Sequence, residues 1–165
     1  SRTLDLKAAI EAATETGLPI WVGLSCESHD GQLYLGISGR HAGETIADAV
    51  IASSSPNVKA ICIMHSPPQV TADALRELKA CTSLPMGAYA HGGSVGHEMG
   101  LAKTRSQEGQ MEDYRLPLEG TDPEQYLDYA YEWVACGATI IGGCCGTTPE
   151  HIRALTNSNL RDASY

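Results

Sequence analysis

Four short apolar runs alternate with segments of helical period, and this alternation restricts the possible folds more than any other feature of the chain. The runs occupy residues 19–26, 58–64, 84–90 and 138–141. Their apolar and β-branched residues, with glycine, proline or polar residues at the ends, are typical of buried parallel strands. Helical patterns lie between them, over residues 4–16, 44–52, 71–81 and 122–136, and a last short helix follows residue 148. The alternation predicts βαβ units and an α/β fold.

The composition favours a single globular domain, residues 1–165, that binds neither nucleic acid nor a membrane. The chain carries 20 acidic and 11 basic residues, a formal net charge of −9, and contains no basic block. Polyanionic partners are therefore not expected, and no apolar run approaches the ~20 residues of a membrane span. The six cysteines lack the spacing of a small secreted scaffold, which predicts a reducing, cytoplasmic compartment.

The densest group of chemically active residues is the segment 142–152, with the sequence GGCCGTTPEHI. Cys144 and Cys145 directly follow the last predicted strand. Thr148 is suited to cap a helix and Pro149 to occupy its first position, so a helix is predicted to begin there. Side chains at the carboxyl ends of parallel strands are where α/β folds place their chemistry.

Two adjacent cysteines have three possible roles: small buried side chains, a disulfide between neighbours, or metal ligands. A disulfide between neighbours is strained, because the preferred Cα separation is ~5.5 Å and a trans peptide holds the two Cα atoms 3.8 Å apart. Both side chains reach one ion only if the backbone bends. The glycines at 142, 143 and 146 permit a bend, so zinc ligation is favoured.

The segment GGCCGTTPEHIRAL resembles the C-terminal zinc motif of the homocysteine S-methyltransferase family, which includes betaine–homocysteine methyltransferase. The resemblance implies a TIM (β/α)8 barrel, for which ~250 residues are typical. This chain matches strands five to eight of such a barrel. The missing half is expected from a second copy, another polypeptide or a part of the protein outside this sequence. An independent four-stranded open sheet is the alternative.

A third zinc ligand is implied by the same resemblance. The family has a cysteine at the end of its sixth strand, and His65 stands at the matching position, with Met64 in place of asparagine. A His–Cys–Cys set is chemically competent for zinc. Cys62 lies an odd number of residues from His65, so its side chain is predicted to face away. Without the resemblance, His65 would be interpreted as an ordinary loop histidine.

The implied activity is transfer of a methyl group to the thiol of homocysteine, which gives methionine, from a sulfonium or quaternary ammonium donor. His65, Cys144 and Cys145 are the predicted ligands of Zn²⁺, and Tyr89, His91 and Gly143 are weaker candidates for substrate contact. The alternatives are a zinc- or thiol-binding half-barrel without turnover, and a structural protein whose cysteines are only packed. The remaining histidines are interpreted as loop or structural residues, namely His29, His41, His97 and His151.

Overall fold

A computed structural model of the chain describes residues 2–36, 43–92, 103–105, 111–113 and 121–163. His41 and His97, which the sequence places in loops, lie outside these ranges. The helices are α1 (Arg2–Thr14), α2 (Ile46–Ala52), α3 (Pro68–Cys81), α4 (Pro123–Ala135) and α5 (Pro149–Asn157), followed by a 3₁₀ turn at Leu160–Ala163. The strands are β1 (Ile20–Leu24), β2 (Cys26–His29), β3 (Gln32–Leu35), β4 (Val58–Met64), β5 (Met86–Tyr89), β6 (Lys103–Arg105), β7 (Met111–Asp113) and β8 (Ala138–Ile141).

The four strands predicted from the apolar runs form one parallel sheet in the order β1-β4-β5-β8. Its register aligns Gly23 with Cys62, Cys62 with Gly87, and Gly87 with Ile140. The carboxyl ends of all four strands therefore lie at one edge. This arrangement confirms the predicted α/β fold with parallel βαβ units.

The two faces of the sheet differ in burial. One face carries Ile61 and Ile63, which belong to a core shared with helical residues such as Leu75 and Trp133. Neighbouring residues on a strand point to opposite faces. The other face carries Trp21, which is 61% exposed. Within the described residues, β1 and β8 each pair with a single neighbouring strand. The helices thus cover one side of the sheet. The opposite side, which faces the lumen in a barrel, leaves Trp21 exposed but buries the small side chains of Ala60 and Cys62.

Local sequence explains where the helices begin. Thr45 and Asp48 form a reciprocal capping box at the start of α2, which satisfies otherwise free backbone N–H groups. The Asp122 carboxylate accepts hydrogen bonds from the backbone N–H groups of Glu124 and Gln125 at the start of α4. Thr148 is the N-cap of α5 with a proline at the next position, as predicted. None of the helices in the described part of the chain has the length and apolar character needed to cross a membrane.

Two local elements depart from the sequence prediction. The polar, glycine-rich composition of residues 27–43 predicts a loop, but β2 and β3 pair there as an antiparallel hairpin. Asp30 and Gly31 form its turn with φ values of 50° and 76°, a conformation typical of Asp-Gly hairpins. Helix α3 begins at Pro68, three residues before the predicted start, because proline is well suited to the first turn of a helix.

Gly87 supplies the first test of this packing. A Cβ atom at this position would lie 2.5 Å from Cys62 Sγ and 3.2 Å from Ile140 Cβ. We expect Gly87→Ala to lower the free energy of unfolding by about 1–3 kcal/mol, the usual cost of overpacking, as measured by urea denaturation. Adding Cys62→Ala should restore part of the loss. Independent, additive effects of the two substitutions would contradict the proposed contact.

Candidate metal centre

His65 lies immediately after β4, where the chain turns sharply. Its φ is 48°, a left-handed conformation that histidine adopts more readily than most residues with a side chain. The turn is held on both sides, since the His65 N–H donates to the Tyr89 carbonyl at 3.3 Å. In addition, the Ser66 hydroxyl accepts from the Cys26 N–H at 2.8 Å. These contacts fix the backbone that carries the imidazole.

Cys144 and Cys145 lie in a loop that continues the pairing of β8 with β5 beyond the sheet. The Cys144 N–H donates to the Ala90 carbonyl at 3.1 Å, and the Gly92 N–H donates to the Cys145 carbonyl at 2.8 Å. Both cysteines therefore occupy fixed backbone positions beside the end of β5. The loop adjoins His65, which follows the neighbouring strand β4.

Two glycines permit the bend that the sequence requires of this loop. Gly146 has a φ of 76°, which a residue with a Cβ rarely adopts. At Gly143 the limitation is space, because a Cβ there would collide with the hydroxyl and Cβ of Thr147. Thr147 is itself fixed by donating to the Cys144 carbonyl at 2.6 Å. The shape of the loop thus explains why position 143 holds a glycine.

The bend brings the three predicted ligands together. Cys145 Sγ lies 3.3 Å and Cys144 Sγ 3.6 Å from His65 Nδ1, and the two sulfur atoms are 3.7 Å apart. Zinc bonds of ~2.3 Å to sulfur and ~2.0–2.1 Å to nitrogen, at tetrahedral angles, place two sulfurs ~3.8 Å apart and nitrogen ~3.6 Å from sulfur. The donor atoms therefore fit a tetrahedral zinc ion with one position left for a further ligand.

The electrostatics of the pair favour a cation. Partial burial raises the pKa of Cys145, and the hydrogen bond with Cys144 and its charge raise it further. The neighbouring thiol therefore opposes ionisation of Cys145, and a bound divalent cation would remove that penalty. Both cysteines are free and partly exposed. Their partial exposure argues against the alternative in which the two cysteines are only packed in the core.

His91 and Tyr89 lie beside this cluster. The His91 ring centroid is 6.0 Å from that of His65, and among the described residues the buried His91 Nδ1 has no hydrogen-bond partner. Burial, followed by the charge of His65, lowers the pKa of His91, which favours a neutral imidazole. Burial, followed by the charges of Cys62 and Cys144, raises the pKa of Tyr89. Both side chains adjoin the predicted site without belonging to the ligand set.

Cys62 does not join the site. It is fully buried within β4 and packs against Gly87. In the described part of the chain, one group of His, Cys, Asp or Glu side chains has metal-binding geometry, and it consists of His65, Cys144 and Cys145. Tyr126, a fully buried residue of α4, reaches the loop. Its hydroxyl lies 2.8 Å from the Ala90 carbonyl and 3.0 Å from the Gly142 carbonyl. No local pattern distinguishes it from an ordinary core tyrosine.

Cysteine reactivity should report on this geometry. Burial, with a smaller contribution from Glu77, raises the pKa of Cys26 to about 12, whereas Cys81 is exposed. At pH 8 we expect iodoacetamide to alkylate Cys81 at least ~100-fold faster than Cys26, since the thiolate is the reactive form. Zinc should protect Cys144 and Cys145 and leave Cys81 reactive. Peptide mapping by mass spectrometry measures all four rates, and equal labelling of the pair with and without zinc would contradict the metal site.

Comparison with known proteins identifies the family. The sequence profile described as Homocysteine S-methyltransferase matches residues 1–158. The chain belongs to this family. Relatives include homocysteine S-methyltransferase 4 of Zea mays, 27% identical over 164 residues, which cover 98% of this chain and 42% of the maize protein. The selenocysteine methyltransferase of Astragalus bisulcatus is 30% identical over 69% of this chain and 30% of its own length.

Solved structures agree with the fold. The metallated form of the Escherichia coli homocysteine methyltransferase MmuM superposes with a TM-score of 0.58 at 25% identity, covering 93% of this chain and 41% of that one. Its oxidised form gives a TM-score of 0.63 at 24% identity, covering 94% and 41%. The chain thus spans about 40% of the length of these relatives. It folds as part of the TIM barrel to which the sequence was matched.

Proposed function

We propose that this homocysteine S-methyltransferase family chain supplies the zinc-binding half of an enzyme that methylates homocysteine to methionine. The observation that carries the proposal is the convergence of His65, Cys144 and Cys145 on one point with tetrahedral separations. His65 would hold the ion through Nδ1 and the cysteines through their thiolates. When bound, zinc would deprotonate a coordinated substrate thiol and so keep it as the reactive thiolate.

The protein residues around this point position the reactants. His91 lies beside the His65 ring, and the Tyr89 side chain lies near Cys144; we propose that both contact substrate. Gly143 is proposed to act through the shape of the loop. In the reaction, homocysteine releases its thiol proton to water and its sulfur bonds to the methyl carbon, while the electron pair of the broken bond returns to the sulfonium or ammonium donor. A neutral His91 is suited to accept a hydrogen bond next to the reacting thiol.

The exposed Trp21 and the edges of the sheet at β1 and β8 support a role as part of a larger barrel. With Trp21 exposed and β1 and β8 each paired on one side within the described residues, a complementary half-barrel or a second copy of this chain is proposed to complete the fold. The domain proposed for residues 1–165 is accordingly the C-terminal half of the barrel. A reducing, cytoplasmic location remains a prediction, supported by the six free cysteines.

The proposal is tested by zinc X-ray absorption spectroscopy on the metal-loaded chain. Two sulfur neighbours and one imidazole are expected without substrate, and three sulfur neighbours after addition of homocysteine. Homoserine, which lacks the thiol, is the matched control and should leave the spectrum unchanged. Methyl transfer from sulfonium and quaternary ammonium donors is then measured with homocysteine. A protein that binds no zinc, or a sulfur count that homocysteine does not alter, would overturn the proposal.

A second candidate is a zinc- or thiol-binding half-barrel without turnover. The presence of His65 where the family pattern has cysteine favours it, because imidazole in place of thiolate makes the site one unit more positive and a bound thiolate less nucleophilic. One equivalent of zinc with a third sulfur neighbour, but no methylation of homocysteine by any donor class, is the result that would select this candidate.

A further inference from the structure

We propose that His151 is a positioning residue that holds the Cys144–Cys145 loop in its ligand geometry. Its relevance to metal rests on the function proposed above. His151 lies in the first turn of α5 and is 5% exposed. The sequence assigned it a general structural role, but its hydrogen bonds connect it to the backbone of the loop.

The partners of His151 determine which ring nitrogen carries the proton. The Thr148 backbone N–H lies 3.1 Å from Nδ1 and can only donate, so Nδ1 must accept. The Thr121 carbonyl lies 2.8 Å from Nε2 and can only accept, so Nε2 must carry hydrogen. Both nitrogens of a neutral imidazole are therefore engaged with backbone groups, and His151 has no nitrogen left to ligate a metal.

These contacts belong to a chain of hydrogen bonds that ends at the ligand loop. The Thr121 N–H donates to the Gly92 carbonyl at 2.7 Å, and the Gly92 N–H donates to the Cys145 carbonyl at 2.8 Å. We call this series of hydrogen bonds, from His151 through Thr121 and Gly92 to Cys145, the loop brace. The loop is thus fixed at both ends, covalently where α5 begins and through the loop brace at Cys145.

Aromatic packing connects the loop brace to a second support of the same loop. The His151 ring lies edge-on to the Tyr126 ring, with centroids 5.5 Å apart and planes at 85°. The Tyr126 hydroxyl contacts the carbonyls of Ala90 and Gly142, the residues that directly follow β5 and β8. His151 therefore supports both ends of the ligand loop, although its hydrogen bonds go to Thr148 and Thr121 and not to a cysteine side chain.

Glutamine and glutamate at position 151 form a matched pair of variants. Both can accept a hydrogen bond from the Thr148 N–H and so preserve the start of α5. Only glutamine can also donate to the Thr121 carbonyl. Leu155→Ala, one turn later on α5 and in the core, controls for a general loss of stability.

The experiment measures amide hydrogen exchange in the metal-free chain and zinc affinity by chelator competition. In His151→Glu we expect the Gly92 and Thr121 amides to exchange at least ~10-fold faster, while the Ile61 amide in β4 serves as an internal reference. Zinc affinity should fall about 10–100-fold, the usual effect of losing an outer support of a ligand. His151→Gln should remain within about threefold of the wild type, since it preserves both contacts.

Four results would overturn the proposal: unchanged exchange in His151→Glu, unchanged zinc affinity in that variant, equal losses in His151→Gln, or equal losses in Leu155→Ala. A wild-type chain that binds no zinc would refute the proposed metal site. In that case the exchange measurements still decide whether His151 braces the loop, so the two failures are distinguishable.

Discussion

Replacing both Cys144 and Cys145 with serine is expected to abolish zinc binding. The two sulfurs are two of the three donor atoms that converge on the site, and serine hydroxyls do not ionise near neutral pH to replace thiolates. Structural zinc sites with four ligands bind with about 10–16 kcal/mol, so the loss of two ligands should weaken binding by at least ~1000-fold, or about 4 kcal/mol. Elemental analysis and chelator competition measure the effect.

Cys81→Ser and Cys136→Ser are the matched controls for the cysteine pair. One of these thiols is exposed and the other buried, and neither belongs to the ligand set in the described part of the chain. Both variants should retain about one zinc per chain. Zinc that persists in the Cys144→Ser/Cys145→Ser protein would show that the metal binds elsewhere and would refute the site.

Substitution of His65 is the second change expected to have a large effect on zinc binding. We expect His65→Ala to weaken zinc binding by at least ~100-fold, since it removes one of three donors and leaves two thiolates without a partner. His65→Cys should retain zinc and add a third sulfur neighbour to the X-ray absorption spectrum, because a cysteine thiolate is itself a zinc ligand. The added thiolate makes the site one unit more negative, which should strengthen the binding of the cation.

The His65 variants also separate ligation from backbone geometry. His65 adopts a φ of 48°, and His65→Asn keeps a residue that tolerates this conformation while it removes the imidazole. His65→Asn should therefore fold like the wild type and still lose zinc. If His65→Asn and the wild type bind zinc equally, the imidazole is not a ligand and the predicted set is wrong at this position.

The difference between histidine and cysteine at position 65 bears on turnover. Two thiolates and one imidazole give a zinc site a net charge of zero, whereas three thiolates give −1. A more negative site releases electron density to a bound thiolate and makes it a stronger nucleophile. If the chain catalyses methyl transfer once its barrel is complete, His65→Cys should raise the rate of the methyl-transfer step.

The sequence alone determined the parallel α/β architecture and the position of the cysteine pair. The four apolar runs alternate with helical periods, and this alternation permits few arrangements other than βαβ units. Thr148 and Pro149 marked the start of α5 through local capping chemistry, which acts within a few residues. Such signals are readable because both their cause and their effect lie in the same short segment.

Only the tertiary structure decided what surrounds the cysteines. His65 is 79 residues from Cys144, and their 3.6 Å separation depends on the parallel order of β4, β5 and β8. The roles of Tyr126 and His151 were likewise hidden, because each side chain reaches a backbone carbonyl of a distant segment, and any residue supplies a carbonyl. Sequence patterns identify side-chain types and local periods, whereas long-range contacts to the backbone have no residue signature and exist only after the chain has folded.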